Sequence, residues 1–252
     1  MLTCIVVPHY DHVAQFETLL PQLVAHGTPL IVVDDASPEE SFQALQRLLD
    51  KHTEDSILIR HEMNLGKGAA VITGLRAARS SGCTHALQID ADGQHDVSAI
   101  NRFREAAEQY PDRIICGEPV FFDDVSRLRF FARYITLAFC RLETLSTEIR
   151  DAMCGIRLYP IDAVIGIIDK STPGRRMTFD PEILVRACWD GLRLLFIPVK
   201  VQYPDDGRSH FRYIRDNVEI SWMHTRLITG MLLRVPMLLR HRRSRRGRPA
   251  TR

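Results

Sequence analysis

Strand and helix patterns alternate five times in the first 116 residues, and this alternation constrains the fold more than any other feature of the sequence. Short apolar runs predict buried strands, and apolar residues three and four positions apart predict helices between them. The predicted strands are residues 3–7, 30–33, 57–59, 85–89 and 114–116. The predicted helices are residues 13–25, 38–49, 69–80 and 98–109. Such an alternation is typical of an α/β fold with a mainly parallel, doubly wound sheet and helices on both faces.

The rhythm changes after residue 117, where longer helical patterns follow. The predicted elements are a helix at 125–149, a strand at 153–159, a helix at 181–189, a strand at 194–203 interrupted by Pro198, and a helix at 217–239 kinked by Pro236. We expect the sheet to be mixed at this end. We divide the chain into a catalytic domain, residues 1–212, and a segment of amphipathic helix and basic tail, residues 213–252.

The composition is that of an ordinary globular protein, with 45% hydrophobic and 25% charged residues among 252. Six cysteines without close pairing indicate reduced thiols in a cytosolic protein. We expect no signal peptide, because Pro8 and His9 interrupt the N-terminal apolar run. No stretch reaches the roughly 18 apolar residues that a membrane-spanning helix needs.

Two carboxylates separated by one residue follow the predicted fourth strand. Asp90 and Asp92 come just after the buried run of residues 85–89. Ligands of open α/β sheets bind at the carboxyl ends of the strands, and paired carboxylates are oxygen ligands suited to Mg2+ or Mn2+ with a phosphate-bearing substrate. Gln94 and His95 add neutral ligands or hydrogen-bonding groups. The alternative interpretation is a solvated, Asp-rich turn after a strand.

A second acidic pair and a glycine-flanked lysine are expected near the same edge of the sheet. Asp34 and Asp35 end the second predicted strand, where an acid commonly binds a ribose hydroxyl or a base edge. Asn64, Gly66 and Lys67 lie at the predicted start of the third helix, where main-chain N–H groups and the helix dipole favour a diphosphate. The alternatives are that Asp35 caps its own turn and that the glycines form a plain helix-entry loop.

Four motifs carry a resemblance to a known family. They are Val-Val-Pro-His-Tyr-Asp at 6–11, Val-Val-Asp-Asp-Ala-Ser at 32–37, Asn-Leu-Gly-Lys-Gly-Ala-Ala at 64–70 and Gln-Ile-Asp-Ala-Asp-Gly-Gln-His at 88–95. In order and spacing, they resemble the family 2 glycosyltransferases with the GT-A fold. The likeness extends through the stretches at 151–157, 179–184, 197–199 and 207–211. Within this family the chain is most similar to polyprenyl-phosphate sugar synthases of the dolichol-phosphate mannose synthase type.

The resemblance implies a metal-dependent enzyme that moves a hexose, with inversion at the anomeric carbon, from a nucleoside diphosphate sugar to a lipid-linked polyprenyl phosphate. It implies that Asp90, Asp92 and Gln94 hold the Mg2+ or Mn2+ that bridges the donor diphosphate. The catalytic residues expected on this basis are Asp90, Asp92, Asp151 and Glu182. The donor-binding residues are Pro8, Tyr10, Asp11, Asp35, Asn64, Gly66, Lys67 and Asp90.

The nature of the acceptor depends on whether the reaction needs a general base. A phosphate monoester is already anionic at neutral pH and needs none, whereas a hydroxyl acceptor needs a carboxylate, for which Asp180 and Glu182 are the candidates. We favour the phosphate, because the chain has several cations to bind it. The expected acceptor-binding residues are Arg127, Arg129, Arg157, Arg208 and Ser209. A glycosyltransferase acting on a hydroxyl of a lipid, pigment or polysaccharide is one alternative, and an inactive sugar-nucleotide-binding scaffold is another.

The last thirteen residues, 240–252, contain seven arginines and no acid. Together with the apolar helix before them, they predict binding to an anionic membrane surface, peripheral on the inner, cytoplasmic face of the cytoplasmic membrane. The alternative is a helix packed on the core with a solvated tail. Because the tail has no aromatic residues, the sequence does not favour nucleic-acid binding.

Overall fold

A computed structural model describes residues 1–53, 55–121, 127–201 and 213–246. The strands are β1 (Thr3–His9), β2 (Leu30–Asp34), β3 (Ser56–Arg60), β4 (His85–Gln88), β5 (Arg113–Phe121), β6 (Arg157–Pro160) and β7 (Arg193–Val201). The helices of the first half are α1 (Val13–Val24), α2 (Glu39–His52), α3 (Lys67–Ser80) and α4 (Ile100–Gln109), the last preceded by a 3-10 turn at Val97–Ala99. The helices of the second half are α5 (Arg127–Thr144), α6 (Ile161–Ser171), α7 (Phe179–Trp189), α8 (Tyr213–Leu232) and α9 (Val235–Arg246).

In these described residues, seven strands form one sheet in the order β3-β2-β1-β4-β6-β5-β7. β1 is parallel to β2 and β4, β3 is parallel to β2, and β7 is parallel to β5. Only β6 is antiparallel to its neighbours, β4 and β5. The mainly parallel, doubly wound sheet and its mixed character towards the second half are therefore confirmed.

Helices cover both faces of the sheet because alternate strand residues point to opposite sides. Val6, Val33 and Ile114 face a core cluster with the apolar sides of α3 and α5–α9. Val7 and Val32 face a second cluster with α1, α2 and α4. β1, β2 and β4 are buried on both faces, which explains why their sequences are continuous rather than alternating apolar runs.

Two prolines lie inside strands that we expected them to end or interrupt. β1 continues through Pro8 to His9, and β7 continues through Pro198, which pairs with Glu118 of β5. β7 forms one edge of the described sheet, where a residue without an N–H group is tolerated.

The predicted strand at residues 153–159 is shorter in the structure, and one helix was not predicted. The main-chain N–H groups of Met153 and Cys154 donate to the Asp151 carboxylate, so this stretch turns and β6 begins only at Arg157. Helix α6 follows directly, with Pro160 as its N-cap residue. Its many isoleucines obscured the helical pattern, because β-branched residues favour strands.

The predicted helix at residues 217–239 consists of two helices. Pro236 is the second residue of α9, where a missing N–H group leaves no helical hydrogen bond unmade. Met223, Leu227 and Met231 of α8 are buried in the same cluster as α7, so α8 packs on the core. Within the described ranges, no helix has the length and apolarity to cross a bilayer.

Close contact between α3 and β1 generates a stability prediction. A Cβ atom at Gly74 of α3 would lie 2.3 Å from Val6 Cγ1, whereas one at Gly166 of α6 would meet nothing within 4 Å. We expect Gly74→Ala to lower the free energy of unfolding by about 1–3 kcal/mol through overpacking. Gly166→Ala, the matched control, should raise it by roughly 0.5–1 kcal/mol, since alanine is the better helix former. Urea unfolding measures both; equal stabilisation by the two variants would contradict the packing of α3 on β1.

Candidate active site

The candidate site lies where β1, β2 and β4 end at one edge of the sheet. After β1 the chain moves outward through β2 and β3, and then returns to place β4 on the other side of β1. This reversal of strand order opens a crevice at the carboxyl ends of the strands, which is where open α/β sheets bind ligands. The loop after β1 and the Asp90–Asp92 loop after β4 lie on its two sides.

A partly buried lysine joins three chain segments beneath this crevice. Lys67 Nζ lies 2.7 Å from Asp90 Oδ2 and 2.8 Å from Asp180 Oδ2. Burial opposes the charged form of the lysine, but Asp180 and Asp90 outweigh it and raise the pKa of Lys67. The start of α3, the end of β4 and the start of α7 are therefore held together by one ammonium group. Lys67 was predicted to face the donor diphosphate; the structure instead turns it towards these two carboxylates.

Arg157, expected among the acceptor-binding residues, supports the same network from below. Its side chain is fully buried and donates from Nη1 to the Asp180 carbonyl (2.6 Å) and from Nη2 to the Ala152 carbonyl (2.7 Å). Burial works against ionised Asp180, but Lys67 and Arg157 outweigh it and lower the pKa of Asp180. An acceptor cannot reach Arg157, so its role is to fix Asp180.

The Asp90–Asp92 loop has the features of a cation site. Asp90 Oδ1 and His95 Nδ1 are buried and have no hydrogen-bonding partner. Burial and the neighbouring Asp90 raise the pKa of Asp92, while burial lowers the pKa of His95 despite both carboxylates. The raised pKa of Asp92 reflects burial first and the neighbouring carboxylate second, and a bound cation would offset both effects. The N–H group of half-buried Gln94 holds Asp92 Oδ1 at 3.1 Å.

The side chains fit a divalent cation that is shared with a substrate. Among the described residues, no three His, Cys, Asp or Glu side chains are placed to hold a metal by themselves. Mg2+ is commonly bound through one or two carboxylates together with substrate phosphates, rather than by a cage made of protein alone. Asp90 and Asp92 supply such a pair.

The loop after β1 is fixed by one serine from the loop after β2 and one from the first turn of α2. Asp11 adopts a left-handed conformation (φ 54°), its N–H group donates to Ser37 Oγ (2.9 Å), and its carboxylate accepts from Ser41 Oγ (2.5 Å). This keeps Asp11 and the preceding Tyr10 at the crevice. Buried Asp34 has a structural role, because His9 Nδ1 lies 3.1 Å from its Oδ1.

The expected diphosphate cradle at the start of α3 is closed by protein. Asp35 accepts hydrogen bonds from the N–H groups of Leu65 (2.9 Å) and Gly66 (2.7 Å). Asn64 accepts a hydrogen bond from Arg176, and a Cβ atom at Gly66 would lie 2.4 Å from Arg176 Cγ. The loop is therefore packed between Asp35 and Arg176, and the geometry does not support an open anion site at this helix start.

Two residues expected to be catalytic are held in structural ion pairs. Arg133 of α5 makes a two-point ion pair with Asp151, which also accepts hydrogen bonds from the turn that follows it. Glu182 is fully buried, and its oxygens accept hydrogen bonds from Arg186, Arg226 and the Gly174 N–H group. Asp151 thus shapes the loop beside the site, and Glu182, expected to be catalytic, is enclosed by these partners.

The remaining acceptor-binding candidates lie outside what the structure describes. Arg127 and Arg129 are in the first turn of α5, where side chains are not described, and Arg208 and Ser209 fall between the described ranges. The segment with Arg208 follows β7, whose last residue, Val201, pairs with His95.

Gly155 was missed by the sequence reasoning although its position is demanding. A Cβ atom there would lie 1.9 Å from Asp90 Oδ2. Only glycine therefore lets the loop before β6 pack directly against the Asp90 carboxylate. The Cys-Gly-Ile-Arg sequence signals a close backbone approach, because a glycine next to an apolar run commonly marks one. Arg133, the partner of Asp151, was also missed, and no neighbouring residue in the sequence indicates that ion pair.

The amino-acid sequence of the chain is similar to those of known enzymes. The chain is 23% identical over 248 residues to a UDP-N-acetylglucosamine–dolichyl-phosphate N-acetylglucosaminyltransferase of Methanococcus voltae, covering 92% of this chain and 98% of the relative. It is 28% identical over 167 residues to a dolichyl-phosphate beta-glucosyltransferase of Dictyostelium discoideum, covering 63% of this chain and only 50% of the relative.

Solved structures share the fold. A Pyrobaculum calidifontis mannosyltransferase in complex with GDP-Man and Mn2+ superposes with a TM-score of 0.56 at 16% identity, covering 82% of this chain and 58% of that one. Glucosyl-3-phosphoglycerate synthase from Mycobacterium tuberculosis, in complex with Mn2+, UDP-glucose and phosphoglyceric acid, has a TM-score of 0.60 at 14% identity, covering 99% and 81%. These likenesses confirm the GT-A fold. The sequence model of glycosyl transferase family 2 matches residues 4–167, more than half of the chain, and the protein belongs to that family.

Proposed function

We propose that this glycosyltransferase moves a hexose from a nucleoside diphosphate sugar to a polyprenyl phosphate. Its relatives from Methanococcus voltae and Dictyostelium discoideum are named for dolichyl-phosphate acceptors, and one from Pseudomonas syringae for undecaprenyl phosphate. The crevice at the strand ends provides a place for the donor. The carboxylates around it, discussed next, provide the argument for the acceptor.

The observation that carries the acceptor assignment is that both candidate bases, Asp180 and Glu182, are already paired with cations, as is the neighbouring Asp151. Asp151 is paired with Arg133, Asp180 with Lys67, and Glu182 with arginines of α7 and α8. A carboxylate held by a cation is a weak base, since the cation favours its ionised form and resists protonation. A hydroxyl acceptor needs such a base, whereas a phosphate is anionic at neutral pH without one. The site is therefore better suited to a phosphate.

For the donor, we assign Asp90 and Asp92, with Gln94, to an Mg2+ or Mn2+ ion. Bound there, the ion would offset the negative charge that develops on the leaving diphosphate. Lys67 holds Asp90 Oδ2 and leaves Oδ1 without a protein partner, so one oxygen of this carboxylate is fixed and the other is available. The solved relatives with Mn2+ and nucleotide sugars support the assignment.

We assign the nucleoside to the end of β1 and the loop after it, with Pro8, Tyr10 and Asp11, and to Asp35 just after β2. Serine contacts fix the main chain of this loop before substrate arrives, which reduces the ordering cost of binding. Attack by the acceptor phosphate from the side opposite the leaving diphosphate gives inversion at the anomeric carbon. Because the polyprenyl acceptor is a membrane lipid, we place the enzyme on the inner face of the cytoplasmic membrane.

The cation site is tested by Asp92→Asn. Removing one ligand charge from a half-buried loop should leave the free energy of unfolding within about 1 kcal/mol, yet lower metal-dependent transfer by about 10²-fold or more. Thermal unfolding with Mn2+ and nucleoside diphosphates gives a second measurement: their joint stabilisation should be lost in the variant. Exposed Asp112→Asn is the control. Wild-type transfer by Asp92→Asn would remove Asp92 from the cation site.

Glu182→Gln separates a structural from a catalytic role for that carboxylate. We expect the free energy of unfolding to fall by about 2–4 kcal/mol, because Arg186 and Arg226 lose their buried counter-charge. The loss stays below that of a fully buried pair, since Arg226 is 38% exposed. Well below the melting temperature, kcat should change less than about threefold, whereas removing a general base costs 10²–10⁴-fold. Exposed Glu108→Gln is the control, and a large kcat loss without destabilisation would restore the catalytic role.

The acceptor class is tested with polyprenyl phosphate and the matching polyprenol. We expect transfer to the phosphate alone, and a rise of about tenfold or more in KM for it in Arg208→Ala, through loss of a charge-assisted hydrogen bond. Product analysis by mass spectrometry identifies the new bond. Transfer to the alcohol that is indifferent to Arg208→Ala would favour a hydroxyl-acting enzyme instead.

A further inference from the structure

The outward face of α5 is apolar. Between residues 131 and 142, eight positions are exposed, and Arg141 is the only one of them with a charged side chain. Ile135 is 58% exposed and Leu142 49% exposed, and they are seven residues apart, which places them on one side of the helix. The large exposed side chains of this face are Phe131, Tyr134, Ile135, Phe139 and Leu142.

The inward face of the same helix is more polar than the outward one. Thr136, Glu143 and Thr144 are buried, alongside Leu137 and Cys140. Glu143 Oε1 lies 2.7 Å from His224 Nδ1 of α8, so the buried acid has a partner on the neighbouring helix. A helix at a water-facing surface normally has the reverse pattern, with apolar residues inward and charges outward. The outer face of α5 is therefore suited to an apolar surrounding.

The sequence of α5 up to Leu142 and that of the basic tail are positively charged, and exposed Arg141 lies on the outer face itself. From Arg127 to Leu142, α5 contains four arginines and no acidic residue. The basic tail after Leu239 adds seven more arginines and again no acid. Aromatic and aliphatic side chains flanked by arginines match the headgroup region of an anionic bilayer, where apolar groups enter the lipid and arginines meet phosphates.

We propose that the outer face of α5 is the surface by which this protein docks on an anionic lipid bilayer. The span from residue 131 to residue 142 is about 17 Å of helix, long enough to lie along the interface and too short to cross it. The same helix holds Asp151 through Arg133, so docking α5 brings the loop beside Asp90 close to the lipid surface. The idea that the docked enzyme receives its acceptor from the bilayer rests on the proposed function. The docking of α5 on lipid does not.

The test is vesicle co-sedimentation of the full chain with Ile135→Gln/Leu142→Gln. On vesicles with anionic lipid we expect the partition coefficient to fall about tenfold or more. Leu2→Gln/Ile57→Gln removes two other exposed apolar side chains, 50% and 40% exposed, and should leave it unchanged. Thermal unfolding checks that both variants are folded. Wild-type protein should also retain part of its binding at about 0.5 M salt, because only the arginine contribution is screened.

Each contrary outcome identifies a different error. Equal binding by folded wild-type and α5 variants, or complete loss of wild-type binding at high salt, overturns the proposal. A wild-type dimer that the α5 substitutions convert to monomer would show that a second copy covers this face, which also overturns it. Transfer to a short-chain, water-soluble polyprenyl phosphate should be unchanged in the α5 variant; failure of wild-type protein in that assay would count against the acceptor class alone, leaving the vesicle result to decide the docking surface.

Discussion

The geometry of the site depends on a lysine that is partly buried between two carboxylates. Lys67 takes one charge out of water, and Asp90 and Asp180 compensate for it at distances below 3 Å. Removing Lys67 would leave both carboxylates without this shared counter-charge, which destabilises groups that are largely withdrawn from water. The same contact decides which oxygen of Asp90 is occupied and which is left for a ligand, so the stability of this corner and its chemistry have one origin.

Carboxylates at this edge of the sheet divide into two groups according to their partners. Asp34, Asp151 and Glu182 are satisfied by histidine, arginine or main-chain N–H groups and shape the loops. Asp90 and Asp92 remain close together, with a buried oxygen lacking a hydrogen bond and a raised pKa on Asp92. Sequence position does not distinguish the two groups, since four of the five acids flank a predicted element and Glu182 lies in the first turn of one. Their hydrogen-bonding partners in the folded protein do distinguish them.

The strands, helices and acidic strand ends were predictable because their signals are local. The buried runs ending at Asp34 and before Asp90 are visible in a few residues. The position of β6 between β4 and β5, and the capture of Lys67 by Asp180, depend on contacts between residues far apart in the chain. Arg157 illustrates the limit: an arginine in a family motif suggested a phosphate ligand, whereas its neighbours in the fold bury it.

The antiparallel insertion of β6 has a consequence for how the chain folds as it is synthesised. β3, β2, β1 and β4 can associate as soon as α3 and β4 have emerged, but β5 reaches its place only after β6, which is made later, has paired with β4. Until then β4 presents an open edge, and β5 lacks both of its neighbours in the sheet, β6 and β7. Asp180 arrives later still. The ligand-binding corner is thus completed only after a half-sheet already exists, and until β6 pairs with it the exposed edge of β4 can pair with a wrong partner.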